Sequence, residues 1–237
     1  MRSRFASLPA SSLVVLVVIL AGCGSSSSPS ADNGVSAKTP TQILSTAKAA
    51  AAAAASVHVA GSIVSEGKPI SIDMELVGRN EGKGSVTLDG FGIRLIDVDG
   101  AVFVKGSSAF YTRFAGARAA RLLQGKWIEG SAVHGPLADL ADLADLEKVI
   151  DSTLADHGTL SRAGLVTLAG KQAVGVTDAT QDGTLYVATT GVPYPLEIVK
   201  SGAGARAGRI VFDRWNKPVS LAAPAGSISI ERLESAG

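Results

Sequence analysis

From Val57 onward the chain alternates apolar and polar positions with a period of two. Val57, Val59, Gly61 and Ile63 alternate with His58, Ala60 and Ser62, and Ile70, Ile72, Met74 and Leu76 alternate with Ser71, Asp73 and Glu75. Such alternation predicts strands with one buried face. Glu66-Gly67-Lys68-Pro69 predicts the turn between them, and Asn80-Glu81-Gly82-Lys83-Gly84 a second turn. Further strands are predicted over 85–88, 91–98 and 101–105. Asp89-Gly90 and Asp99-Gly100 join them, because Asp-Gly pairs accept the positive φ of tight hairpins. Residues 57–105 thus read as an antiparallel meander.

A helix is predicted before the meander. Thr39-Pro40-Thr41 supplies a cap and a first-turn proline, and Ile43, Leu44 and Ala47 lead into the alanine run 49–55. After the meander the period of two is lost. Residues 114–123 predict a short helix carrying Arg118 and Arg121, and Lys126-Trp127-Ile128 an extended piece. Leu137, Leu140, Leu143, Leu146, Val149, Ile150 and Leu154 follow a near-helical spacing, and Asp156-His157-Gly158 ends it. The threefold Leu-Ala-Asp spacing departs from 3.6, which predicts two short helices or a kink. Strands resume over 160–168, 171–178, 184–189, 196–200 and 210–215, with weaker candidates at 219–221 and 228–230. The order is helix, meander, helices, meander, without an internal repeat. Twenty-seven glycines and only 5% aromatic residues suit a curved sheet with many turns.

The N-terminus has a different character. Met1, Arg2 and Arg4 precede an apolar stretch from Leu13 to Ala21, too short to span a bilayer, which needs roughly 20 residues. Leu20-Ala21-Gly22-Cys23 follows, then Gly24 and a serine run. This order resembles the signal sequence and lipobox of bacterial lipoproteins. The resemblance implies cleavage before Cys23, lipid on its thiol, and two or three acyl chains, palmitate among them, as a stable anchor. An ordinary secreted protein with one free thiol is the alternative. Cys23 is the only cysteine, so no intrachain disulfide forms. The predicted organisation is a signal peptide over 1–22, lipidated Cys23 with a flexible Ser-rich tether over 23–39, and one domain over 40–232. The expected location is the extracytoplasmic face of the cell membrane.

Catalytic and nucleic-acid chemistry find little support. The net charge of +1 gives no bulk attraction to nucleic acid. His58, His134 and His157 are isolated and lack metal-ligand spacing. No nucleophile elbow, P-loop or dinucleotide fingerprint occurs, so neither catalytic residues nor a metal or cofactor are assigned. Asp139, Asp142 and Asp145 read as solubilising charge on a helix.

Taken in order, these elements resemble the LppX/LprG/LprA lipoproteins of actinobacteria and, more distantly, the LolA/LolB carriers. The resemblance rests on Asp99-Gly100-Ala101-Val102-Phe103-Val104-Lys105, Lys126-Trp127-Ile128, Val192-Pro193-Tyr194-Pro195-Leu196, and Phe212-Asp213-Arg214-Trp215-Asn216-Lys217-Pro218-Val219 with Ala223-Pro224. It covers about residues 40–230. It implies an α+β fold, a curved open antiparallel half-barrel wrapped around helices. It also implies an apolar cavity that holds acyl chains of lipids or glycolipids and carries them across the envelope without covalent chemistry. The membrane, through Cys23, and an envelope transporter are the implied partners. The Ala- and Leu-Ala-Asp-rich middle departs from the family and predicts differently seated lid helices.

The candidate wall is Ile70, Ile72, Met74 and Leu76, extended by Val86, Leu88, Ile93 and Leu95. Each methylene moved onto such a wall gains about 0.8 kcal/mol. Glycines 78, 82, 84, 90 and 92 would let the sheet bend around it. From the residues alone the same eight read more readily as a packed core beneath helices, and only the resemblance favours a cavity. As wall residues they predict that Met74→Glu removes bound lipid and spares the fold. Arg113, Arg118, Arg121, Arg206 and Arg209 are candidates for a head-group contact or for a solvated face. Two other functions stay open: a ligand-free sensing or protein-interaction module of the same fold, and an envelope hydrolase with a non-local triad.

Overall fold

A computed structural model describes residues 31–65, 67–135, 137–154, 158–180, 182–200 and 208–235. The predicted signal peptide, Cys23 and the serine run lie outside the described residues, as do Asp156, His157 and Arg206.

The first meander forms as the alternation predicts: β1 (Ser56–Ser65), β2 (Lys68–Val77), β3 (Glu81–Leu88), β4 (Phe91–Val98) and β5 (Ala101–Gly106), each antiparallel to the next. Its Asp-Gly turns hold both residues at positive φ, 51° and 82° at Asp89-Gly90 and 54° and 76° at Asp99-Gly100. These are the angles that match the twist of the flanking strands. One predicted turn is displaced: the reversal lies at residues 78–80. Residues 81–84 belong to β3, because Gly82 and Gly84 stand opposite Leu76 and Met74 rather than at a reversal. A Cβ at Gly82 would lie 2.9 Å from the Glu75 carbonyl oxygen, so glycine here serves close approach inside a strand.

The second meander contains β7 (Leu160–Leu168), β8 (Lys171–Asp178), β9 (Gly183–Ala188), β10 (Pro195–Lys200) and β11 (Gly208–Asp213). β11 pairs with β1 and so merges both meanders into one sheet. Two short strands, β6 (Ile128–Ser131) and β12 (Ile228–Ser229), complete it. Among the described residues the order is β12-β6-β5-β4-β3-β2-β1-β11-β10-β9-β8-β7, an open, curved sheet of 12 strands with β12 and β7 at its edges. The sheet is mixed rather than wholly antiparallel, because β12 runs parallel to β6. The chain reaches that edge by crossing from β11. Asn216 Oδ1 accepts from the Ala55 amide at 2.7 Å, Lys83 Nζ donates to the Ser220 carbonyl at 2.8 Å, and Ile228 N donates to the Trp127 carbonyl at 2.8 Å. Residues 219–221, a weak strand candidate, are part of this irregular strap.

Helices cover one face. α1 (Pro40–Ala52) begins as predicted. Thr39 accepts from the Gln42 amide, the Gln42 side chain accepts from the Thr39 amide, and Pro40 fills the first position. Its Ile43, Leu44, Ala47 and Ala51 are buried. The middle region gives α2 (Ser108–Leu123), α3 (Ala138–Ala141), a 3₁₀ turn at Asp142–Ala144, and α4 (Leu146–Leu154). The predicted break among the leucines is this turn, which sits over the sheet with Ala144 Cβ 3.3 Å from where a Gly82 Cβ would stand. α2 is longer than predicted. Ser107 caps it by accepting from the Phe110 amide at 3.1 Å, and Gly116, at φ 82°, kinks it. α5 (Ile230–Ser235) ends the described chain.

The end of the predicted tether is docked. Asn33 N donates to the Thr189 carbonyl at 2.8 Å, its side-chain amide donates to the carbonyls of Ala188 and Gly191, and Val35 is buried. Arg162 binds the carbonyls of Ser36 and Lys38 at the entrance to α1. Serine-rich composition says nothing of Asn33 and Val35, which pin residues 33–38 to the domain.

Candidate functional site

Residues directly opposite one another on paired strands share a face. The register therefore settles where the eight predicted wall residues lie. Ile70, Leu88 and Phe91 form one row across β2–β4, and Ile72, Val86 and Ile93 the next. Met74, Gly84 and Leu95 form the third, and Leu76, Gly82 and Asp97 the fourth. All eight point to the inner face, beneath the helices.

Burial grades along these rows. Leu76, Met74 and Leu95 are fully buried, in one cluster with Val57, Val59, Val102, Val104, Ala144 and Ile150. Ile93 is buried, and Ile72 and Val86 are half-buried against the same cluster. Ile70 is half-buried and Leu88 is 48% exposed. The deep half of the wall is thus occupied by side chains of the lid, and the half nearest the Asp89-Gly90 turn opens to solvent. Met74→Glu would place a carboxylate in the packed part, which corrects the expectation that it spares the fold.

The open end carries aromatic residues that the strand periodicity did not single out. Phe114 of α2 lies with its ring centroid 4.9 Å from Phe110 and 5.9 Å from Phe91, the latter edge-to-face. Phe114 is 65% exposed. Arg113 sits over its ring at 5.6 Å. Tyr111 anchors the helix by accepting from the Gly106 amide at 2.9 Å and packing with Ala120 and Ile128. Two signals were available in the sequence: Phe91 continues the period of Ile93 and Leu95, and Phe110 and Phe114 are one helical turn apart.

One polar group interrupts the inner face. Asp97 is only 1% exposed, and its Oδ1 has no hydrogen-bond partner. Burial, reinforced by the charges of Glu81 and Asp145, pushes its carboxyl up to about 6. The native state therefore holds a proton that the unfolded chain has lost, and stability falls as pH rises from about 4 to about 6. Asp97→Asn is expected to raise stability at pH 7.5 by about 1–3 kcal/mol and to flatten that slope. Denaturant titrations at pH 4.5 and 7.5 check this.

The outer face differs in kind. A groove of about 350 Å³ is lined by the charged Asp73, Glu75, Lys83, Arg94 and Arg214, by Gly84 and Ser85, and by the apolar Leu95, Ile96 and Trp127. Arg214 Nη1 lies 3.1 Å from Glu75 Oε1, and Lys83 Nζ 3.4 Å from Glu75 Oε2. His58 bridges Asp213, at 2.6 Å from Nδ1, and Asp73, at 3.2 Å from Nε2. An acyl chain laid in this groove would have to cover these charge pairs, at a cost in desolvation. Among the described residues no group of three His, Cys, Asp or Glu is placed to hold a metal ion. Arg209 is engaged with Glu197 at 2.7 Å rather than left for a head group.

No family model matches the sequence, and no curated protein does. Solved structures do. LprF from Mycobacterium bovis is 15% identical, with 79% of this chain and 97% of that one covered and a TM-score of 0.53. The lipoprotein LppX from Mycobacterium tuberculosis is 17% identical, with 77% and 99% covered and a TM-score of 0.49. At such identities the likeness speaks for architecture. The open, curved sheet with helices on one face is what the sequence resemblance implied. The chain has the LolA-like fold, as the likeness to LprF shows.

Proposed function

We propose that this protein is a membrane-anchored envelope lipoprotein that binds lipids or glycolipids by their acyl chains and carries them, without covalent catalysis or a cofactor. The observation that carries this reading is the graded inner face. A continuous apolar surface runs from a packed floor at Leu76, Met74 and Leu95 through Ile72, Val86 and Ile93 to an open end at Ile70 and Leu88. An acyl chain entering at Leu88 meets no polar side chain until Asp97 in the fourth row. Its deeper passage requires the 3₁₀ turn at Asp142–Ala144 to lift from β2–β4, exchanging side-chain contacts for contacts with the lipid. Such exchange is close to neutral in apolar transfer, which suits a carrier that must also release its load. Anchoring through Cys23, on the extracytoplasmic face, keeps the carrier beside its source of lipid, and an envelope transporter is the partner such a cycle would engage.

The packed floor favours one second reading, a ligand-free module of the same fold that engages a protein. Lipid analysis separates the two. Protein purified from the cells that make it is extracted with organic solvent, and the extract is examined by mass spectrometry. The carrier yields a defined lipid at a stoichiometry near one, and Leu88→Asp lowers that yield at least tenfold while leaving thermal unfolding unchanged. A lipid-free protein, or equal yield from the variant, overturns the carrier.

A further inference from the structure

We infer that α2 and the Leu88–Phe91 hairpin form a docking face for an anionic bilayer surface. Between Asp99 and Glu129 the chain carries five cations, Lys105, Arg113, Arg118, Arg121 and Lys126, and no carboxylate. That is a local excess of five on a chain whose net charge is +1. Three of these cations lie on α2. The helix is held to the sheet by Tyr111 and Ala120, the buried residues of its two halves. Residues two positions from a buried one point away from it on a helix. Arg113, Arg118 and Leu122 are thereby turned outward, and Leu122 is 61% exposed. Residues 112–118 are exposed throughout.

Arginine beside exposed phenylalanine and leucine is the chemistry of an interfacial element. The guanidinium groups meet lipid phosphates while the apolar side chains enter the acyl boundary. Each basic residue near an anionic membrane surface adds to the attraction, which decays within a Debye length. Asp89, at the hairpin tip, is the one carboxylate in the Leu88–Phe91 turn, so positive charge dominates the face. Docking here sets the open end of the inner face, at Ile70 and Leu88, against the bilayer. The inference deepens the lipid-binding reading and rests on it for its purpose, although its evidence is the surface itself.

The test uses the chain from Cys23 onward with Cys23→Ser, so that no lipid anchor is attached. Flotation is measured with vesicles of phosphatidylcholine alone and with about 30% phosphatidylglycerol added to supply an anionic surface. Partitioning is expected to be at least tenfold stronger with the anionic lipid and to fall in 0.5 M salt. Arg113→Gln/Arg118→Gln/Arg121→Gln should reduce it to the neutral-vesicle level, and Phe114→Ser/Leu122→Ser should lower it at least fivefold, both with unchanged thermal unfolding. Equal partitioning to the two vesicle types, or either variant floating like the parent, overturns the docking face. Lipid co-purification is read separately. Bound lipid without vesicle binding removes the docking face alone, and vesicle binding without bound lipid removes the carrier alone.

Discussion

Gly84→Val is expected to cost at least about 4 kcal/mol, enough to unfold much of the protein at room temperature. A Cβ at position 84 would stand 2.1 Å from the Asp73 carbonyl oxygen and 2.6 Å from both Cα and Sδ of Met74. Side-chain rotation relieves only the sulfur contact. The others are backbone, and moving them breaks the β2–β3 ladder at the place where Met74, Gly84 and Leu95 line up on the inner face. The crowded row also holds the fully buried Met74 and Leu95, whose packing resists the shift. Gly92→Ala is the matching control. Its Cβ would meet only Thr87 Oγ1, at 3.5 Å, and its cost should stay below about 1 kcal/mol. Urea titrations of both variants decide the matter, and similar midpoints would show that close strand approach at Gly84 does not shape the sheet.

The second large effect is a contrast between two positions of the same predicted wall. Met74→Glu should unfold the protein, with a loss of about 4 kcal/mol or more, because an unpaired carboxylate would sit at a fully buried position. Leu88→Asp should change stability by less than about 1 kcal/mol, since nearly half of that side chain already faces water. Yet Leu88→Asp is the variant expected to lose bound lipid, by placing charge at the entrance. Measured on both, Met74→Glu should lose fold and lipid together, whereas Leu88→Asp should lose lipid alone. If Leu88→Asp kept its lipid while folding normally, the open end would not be the entrance.

Much of this architecture was legible in the chain. Period-two alternation located the strands because each buries a single face, and Asp-Gly pairs located turns because few residues accept positive φ cheaply. The cap and first-turn proline at Thr39-Pro40 marked the first helix. Gly82 and Gly84 misled, because glycine serves turns and close strand contacts alike, and only the partner strand distinguishes them. Residues 33–38 misled because two docking residues carry no compositional signature. The eight wall residues could be assigned to one face from their alternation. Which of them is floor and which is entrance depends on where α2, α4 and the Asp142–Ala144 turn come to rest, and that is a long-range matter no local pattern encodes. The same holds for Asp97, whose burial follows from its place opposite Gly82 under that turn.

The claim that hydrocarbon is taken up by the inner face can be tested by photo-crosslinking. A fatty acyl probe with a diazirine near its methyl end is bound, irradiated and located by peptide mass spectrometry. Saturable labelling of β2–β4 at Ile72, Val86, Ile93 or Phe91, with Phe110 or Phe114 of α2, is the predicted result. Labelling confined to the outer groove at Arg94 or Trp127, or none that an unlabelled lipid competes away, would contradict it.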